Sequence, residues 1–265
     1  MAVRGVQSGR GAQHMNSEIE GVYALWKREL IRFFRAKSRV IGSLGMPFFF
    51  LAILGTGLSN AFVLPMQGNY LEFITPGIIG MVLMFGSMFS GIIVLMDRQF
   101  GFLKETLVAP ISRLSIVLGK ALGGATTAMF QGVIIMAVAF FLGVNFQIAN
   151  FFLLLIFMML ISMMFVSLGI AIASKMEDMH GFQLIMNFLI MPLFFLSGAL
   201  FPLQTAPEPI RVVSMFDPLT YGVNGLRYIM LGYSDVPFAI SFAVILAFTA
   251  LFMAMAIYSF SKIEE

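Results

Sequence analysis

Five charged side chains, Asp97, Arg98, Lys104, Glu105 and Arg113, crowd into the stretch DRQFGFLKETLVAPISR at residues 97–113. The flanking sequence is nearly free of charge: Val40–Met96 holds only Glu72, and Ala121–Ser174 holds none. Charges of both signs at this density can form charge-assisted hydrogen bonds with a second protein. The interleaved Phe100, Phe102, Leu103, Leu107 and Val108 predict a short amphipathic helix built to touch a partner. Catalysis finds no such footing. A phosphate-cradling loop needs Gly, four residues, then Gly-Lys-Ser/Thr, whereas Gly119-Lys120 is followed by Ala121 and has Leu114 at the leading position. Neither His-Glu-x-x-His nor a Gly-x-Ser-x-Gly elbow occurs. Cysteine is absent, which excludes disulfides and thiolate metal sites. His14 and His180 sit in separate polar segments and read as solvated. This chain is therefore expected to be no enzyme, to hold no cofactor or metal, and to bind no nucleic acid.

The elements that position the charged stretch are apolar. The 265 residues are 60% hydrophobic and 11% charged, where a soluble domain carries roughly 25% charge, and mean hydropathy is +0.96. Crossing a bilayer takes about 20 mainly apolar helical residues. Six segments qualify: residues 40–62, 74–95, 116–142, 151–173, 182–200 and 238–260. Backbone groups in lipid must bond within their own segment or a closed barrel, and barrel-type alternation is not seen. The fold class is an all-α polytopic membrane protein.

Residues 1–16, rich in Gly, Arg, Ser and Gln, are expected to be a disordered leader without the apolar core of a signal peptide, and Met15 is a candidate start. Residues 17–39 differ. Ile19, Val22, Tyr23, Trp26, Leu30, Phe33 and Phe34 recur at helical spacing opposite Lys27, Arg28, Arg32, Arg35 and Lys37. Ser17-x-x-Glu20 resembles a capping box. An interface helix results, either a surface anchor alone or an elbow that also contacts a partner. The Lys and Arg residues place both termini and the 97–113 loop in the cytoplasm, leaving only Arg211 and Arg227 outside.

Pro47 and Pro192 are expected to kink the first and fifth spans. Gly119-x-x-x-Gly123 and Ser87-x-x-x-Gly91 permit close helix approach. Apart from Lys120, within snorkelling reach of the cytoplasmic end, the spans carry no ionisable residue, whereas ion-coupled carriers usually need one. Thr126, Thr127, Gln131, Ser162, Ser167, Gln183 and Asn187 are read as interhelical hydrogen bonders or substrate contacts. Residues 201–237 are broken by five prolines, yet Ile210–Phe216 and Thr220–Leu231 read as short helices, with Asp217 as a helix start. They form either an external lid that dips into the outer leaflet or a plain extracellular cap.

The segment DRQFGFLKETLVAPISRLSIVLGKAL resembles the cytoplasmic loop and third span of type-2 ABC exporter permeases. FFLSGALFPLQTAPEP, followed by FDPLTYGVNGLRYIM, is similar to that family's fifth span and external re-entrant region. Within the family the chain looks most like the drug-, lipid- and antibiotic-exporting group. The resemblance implies that Asp97–Val108 is a coupling helix docking on a separate nucleotide-binding ATPase, which carries the ATP and Mg. Contacts fall to Phe100, Phe102, Leu103, Lys104, Glu105 and Leu107, with Gln99 standing where the family pattern has Glu. Lys175–Gly181 would be the second cytoplasmic loop. The external gate would comprise Phe201, Pro202, Asp217, Pro218, Tyr221 and Arg227.

The expected function is a permease subunit in the cell (inner) membrane, paired with a second copy or paralogue. It would export an amphiphile such as a drug, antibiotic, lipid or lipid-linked glycan. The alternatives are an ATPase-independent carrier or channel and a non-transporting scaffold or sensor.

Overall fold

A computed structural model describes residues 3–58, 69–108 and 111–263; the side chains of residues 3–16, 39, 104, 105, 107 and 148 lie outside that description. The described residues are helical, without strands. In chain order they form α1 (Val3–Arg35), α2 (Lys37–Phe49) with a π-helical continuation (Phe50–Gly55), α3 (Tyr70–Gln99), α4 (Phe102–Val108) and α5 (Arg113–Phe141). There follow α6 (Phe151–Ala173), α7 (Met179–Leu196), α8 (Glu208–Ser214), α9 (Pro218–Leu231) and α10 (Phe238–Ser261). Helices α3, α5, α6, α7 and α10 are each long and apolar enough to cross a membrane. Residues 40–55 join them only when taken together with Ser17–Arg35, from which they are bent by 71°. The far end of the first expected span, residues 59–62, lies outside the described residues. The protein is an all-α, multi-pass membrane protein.

Helix α1 is continuous through Ser17, so no helix cap stands there. The physical reason is that α1 is held against α5 from Val22 to Phe34. An anchored helix elongates with one hydrogen bond per residue and needs no new nucleus. Pro47 lies inside α2, and the ladder widens to the π-helical turn Phe50–Gly55 within one turn after it.

At the centre lies α3, which packs on α5, α6, α7 and α9. Its approach to α6 is backbone to backbone: a Cβ at Gly169 would lie 2.6 Å from the Met88 carbonyl oxygen, and one at Gly91 would meet the Gly169 carbonyl. In lipid, where burying apolar surface gives helices little reason to associate, such close packing supplies the attraction. Around this pair Phe73, Phe157, Phe165, Phe182 and Phe260 are fully buried.

Candidate functional site

The charged stretch is folded as a helix end, a turn and a short helix. Helix α3 runs on to Gln99. Gly101, at φ +81°, makes the reversal that a residue with a Cβ rarely adopts. Phe102–Val108 then forms α4.

Asp97 is not in water, contrary to its assignment to an exposed loop. It sits on the last turn of α3 and is 2% exposed. Three cations gather on it: Lys120 Nζ donates to Oδ2 at 2.5 Å, Arg28 to Oδ2 at 2.7 Å and Arg32 to Oδ1 at 3.3 Å. Lys120 is itself 3% exposed, so it pairs inside the bundle and does not snorkel. A carboxylate and an ammonium withdrawn from water need such partners. Together they tie α1, α3 and α5 at a single point.

The same corner explains the Gly119/Gly123 spacing. A Cβ at Gly119 would lie 2.8 Å from Leu25 Cβ, and one at Gly123 would lie 2.6 Å from Glu29 Cβ. The small-residue face of α5 therefore receives α1. Trp26 Nε1 donates to Thr126 Oγ1 at 3.1 Å along this contact. Ser112 caps α5 by accepting from the Ser115 N–H, and donates its own N–H and hydroxyl to the Glu18 carboxylate. Glu29 is 5% exposed, and its Oε1 has no hydrogen-bond partner.

Beyond Asp97, the stretch is braced against the 174–178 loop. Arg98 donates to the Met176 carbonyl at 3.2 Å and Gln99 Nε2 to the Glu177 carbonyl at 2.9 Å. An amide can make that second bond; the Glu of the family pattern, ionised, could not. Arg113 donates to the Ser261 carbonyl, which brings the end of α10 to the same corner. Of the expected partner contacts, Phe100 and Phe102 are 64% and 52% exposed, whereas Leu103 is 2% exposed. Leu103 is thus packed on the core beneath α4. The side chains of Lys104, Glu105 and Leu107 fall outside the described residues.

At the opposite end α9 is wedged against α3, α6 and α10. Asp217 caps it, accepting from the Leu219 N–H at 2.8 Å and more distantly from the Thr220 hydroxyl. Burial pushes the Asp217 carboxyl up to about 7, despite those two hydrogen bonds, which pull it down. Pro218 follows at the first helical position and is buried. Arg227 is 2% exposed, sits 4.2 Å over the Phe73 ring and donates to the Gly198 carbonyl at 3.2 Å. Burial lowers its guanidinium pKa, with Tyr233 and Asp235 opposing. Gly198, at φ +72°, turns the chain here, and Tyr70 donates to the neighbouring Leu200 carbonyl at 3.0 Å. Phe201, Pro202 and Tyr221 are half-buried on the same side. The six residues expected at this end thus belong to one region. Near it a cavity of about 630 Å³ is walled by Glu72, Asn145, Gln147 and Tyr233, among others.

Two features escaped the sequence. One is a second cavity of about 580 Å³ between α1, α2, α3 and α5. The other is that Gln183 and Asn187, expected to bond between helices or to meet substrate, lie open on α7 beside Leu184 and Phe188 and make no side-chain hydrogen bond among the described residues. The spacing of Gln183 and Asn187, one turn apart, was the available signal for the latter. No group of three or more metal-ligating side chains occurs among the described residues.

Comparison with known proteins matches residues 20–231 to the family model described as ABC-2 type transporter. An inner membrane transport permease of Escherichia coli K12, YadH, is 27% identical over 86% of this chain and 90% of its own length. The transport permease ycf38 of Cyanophora paradoxa is 29% identical over 80% of this chain and 74% of its own. Nodulation protein J of Rhizobium leguminosarum is 27% identical, covering 84% and 92% respectively. The match takes in the braced loop, the Asp97 corner and the α9 wedge, and the chain belongs to the ABC-2 type transporter family.

Proposed function

We propose that the chain is the membrane-spanning subunit of an ATP-driven exporter in the cell membrane, with both termini and α4 on the cytoplasmic side. A separate ATPase subunit would supply ATP hydrolysis. The observation that carries this reading is the pair Phe100 and Phe102, exposed on a turn and helix that α1 and the 174–178 loop hold from behind. A rigid projection with an aromatic tip can receive a push from a moving partner and pass it to α3. Support for a second permease copy comes from α7, which buries only Phe182, Met186, Ile190 and Phe194. Open amide side chains are unfavourable against lipid, so the Gln183/Asn187 face suits a second protein chain or a watery path. The substrate moved is an amphiphile, in keeping with apolar spans. ATP closure on the partner would favour an outward-facing state by binding it more tightly.

The test is co-expression with the candidate ATPase, mild-detergent purification and ATPase assay. Stoichiometric co-purification is expected, and Phe100→Ala with Phe102→Ala should reduce both recruitment and stimulated hydrolysis by tenfold or more. A double variant that recruits and stimulates normally would remove α4 from the coupling role. A gradient-driven carrier is a second reading, and the buried Asp97–Lys120 pair is the observation that favours it, since buried ionisable pairs serve such carriers. Transport in vesicles driven by a proton or sodium gradient without any ATPase would establish that reading instead.

A further inference from the structure

The cavity between α1, α2, α3 and α5 has a built polar end. Along α3 its wall runs from Met81 to Met96, about 22 Å at roughly 1.5 Å per residue. That is well over half of a hydrocarbon layer about 30 Å thick. The wall is greasy for most of this length, with Met46, Met81, Phe85, Phe89 and Ile92 lining it. Glu29 and Arg32 lie at the end near α4, and Ser43 and Gln131, joined by a 3.0 Å hydrogen bond, lie on the wall from α2 and α5. The shape and lining suit one elongated amphiphile.

Glu29 decides the head group. Its side chain is 5% exposed, its Oε1 accepts no hydrogen bond, and Arg28, its nearest ion-pair partner, is 3.9 Å away. A buried carboxylate oxygen left without a donor bears its full desolvation penalty, so the site is incomplete without one. The neighbouring carboxylate, Asp97, is already saturated by Lys120, Arg28 and Arg32. Among the nine-tenths-buried groups here, Glu29 and Asp97 face a single buried cation, Lys120. Arg28 and Arg32 have side chains 39% and 34% exposed, so water screens much of their charge. The buried end therefore lacks one hydrogen-bond-donating cation.

We propose that this cavity binds an amphiphile with an amine head, whose ammonium donates to Glu29 while its apolar body lies along Phe85 and Phe89. The role of this ligand as cargo rests on the permease reading; its binding does not. Gly42 gives an independent handle, because it lines the cavity and a Cβ built on it meets nothing within 4 Å. A side chain can therefore start there, and a leucine would place its isobutyl group at the cavity wall.

The experiment uses the full chain in lipid nanodiscs, without ATPase, and dodecylammonium as the probe at pH 7, where an amine is protonated. Trp26, the sole tryptophan and one turn from Glu29, reports binding by its fluorescence, with empty nanodiscs as the blank. A saturable response is expected, at least tenfold weaker in Glu29→Gln and abolished in Gly42→Leu, with dodecanoate giving none. Thermal unfolding of each unliganded variant checks its fold, and Gly42→Leu keeps the test open if Glu29→Gln is unstable. A response that is linear in lipid, or equal in all three proteins, overturns the site. Tighter saturable binding of dodecanoate overturns the amine preference and hands the site to Arg32. Failure here with normal ATPase recruitment leaves the permease reading intact, and the reverse result leaves the binding site standing.

Discussion

Lys120 on α5 donates to Asp97 on α3 at 2.5 Å, with both side chains 3% exposed. The pair stands where a long apolar helix ends and the exposed α4 turn begins. Through Arg28 and Arg32, it also ties α1 to the same atoms. Any push on α4 therefore reaches three helices through one carboxylate.

Removing that carboxylate strands a buried ammonium. Asp97→Asn should lower stability by about 3–5 kcal/mol, the usual consequence of leaving one partner of a buried pair. Asp97→Leu combined with Lys120→Met should recover most of it. Thermal unfolding in detergent of both singles and the double gives the coupling, which a surface ion pair of about 0–1 kcal/mol would not match.

Gly123 meets the Glu29 side chain so closely that a larger residue must push α1 away from α5. Gly123→Leu should therefore break the Trp26–Thr126 hydrogen bond and shift the emission of the single tryptophan to the red. Thr126→Val removes the bond alone and should change emission without separating the helices. Equal spectra in Gly123→Leu and the parent would mean that α1 does not depend on this contact.

Gln99 bridges to the 174–178 loop through a single donor. Gln99→Glu restores the residue of the family pattern yet places a carboxylate against the Glu177 carbonyl. Loss of roughly 1 kcal/mol is expected, together with faster amide exchange at residues 175–178. Exchange unchanged in the variant would show the brace to rest on Arg98 alone.

Asp217 titrates in the wrong range for an ordinary carboxylate, with its folded value raised from 3.8 to about 7. The folded state then holds this proton more tightly than the unfolded chain. Its contribution to stability is fully present below about pH 4, falls as pH rises towards 7, and is constant above that. Asp217→Asn keeps an N-capping side chain and should flatten this part of the pH profile. Unfolding midpoints from pH 4 to 8, compared between parent and variant, measure it.

Membrane class and the type of each long helix were legible in the sequence, because lipid admits only self-satisfied backbone and demands long apolar runs. The cap at Asp217 and the small-residue face at Gly119 and Gly123 were legible as well, since each is a local property of a few residues. Which partner those small residues receive was not. Gly123 reads the same whether α1 or a second chain covers it, and Gly169 carries no signal beyond being a glycine.

Burial of charge was likewise decided in three dimensions. Asp97 sits in a polar stretch and reads as solvated until Arg28, Arg32 and Lys120, distant in sequence, converge on it. Leu103 reads as a contact residue until α4 lies down and covers it. Local composition determined which segments leave water and which helices they make. Only packing between helices decided which charges left water with them, because the desolvation of each is offset by partners that lie elsewhere in the chain.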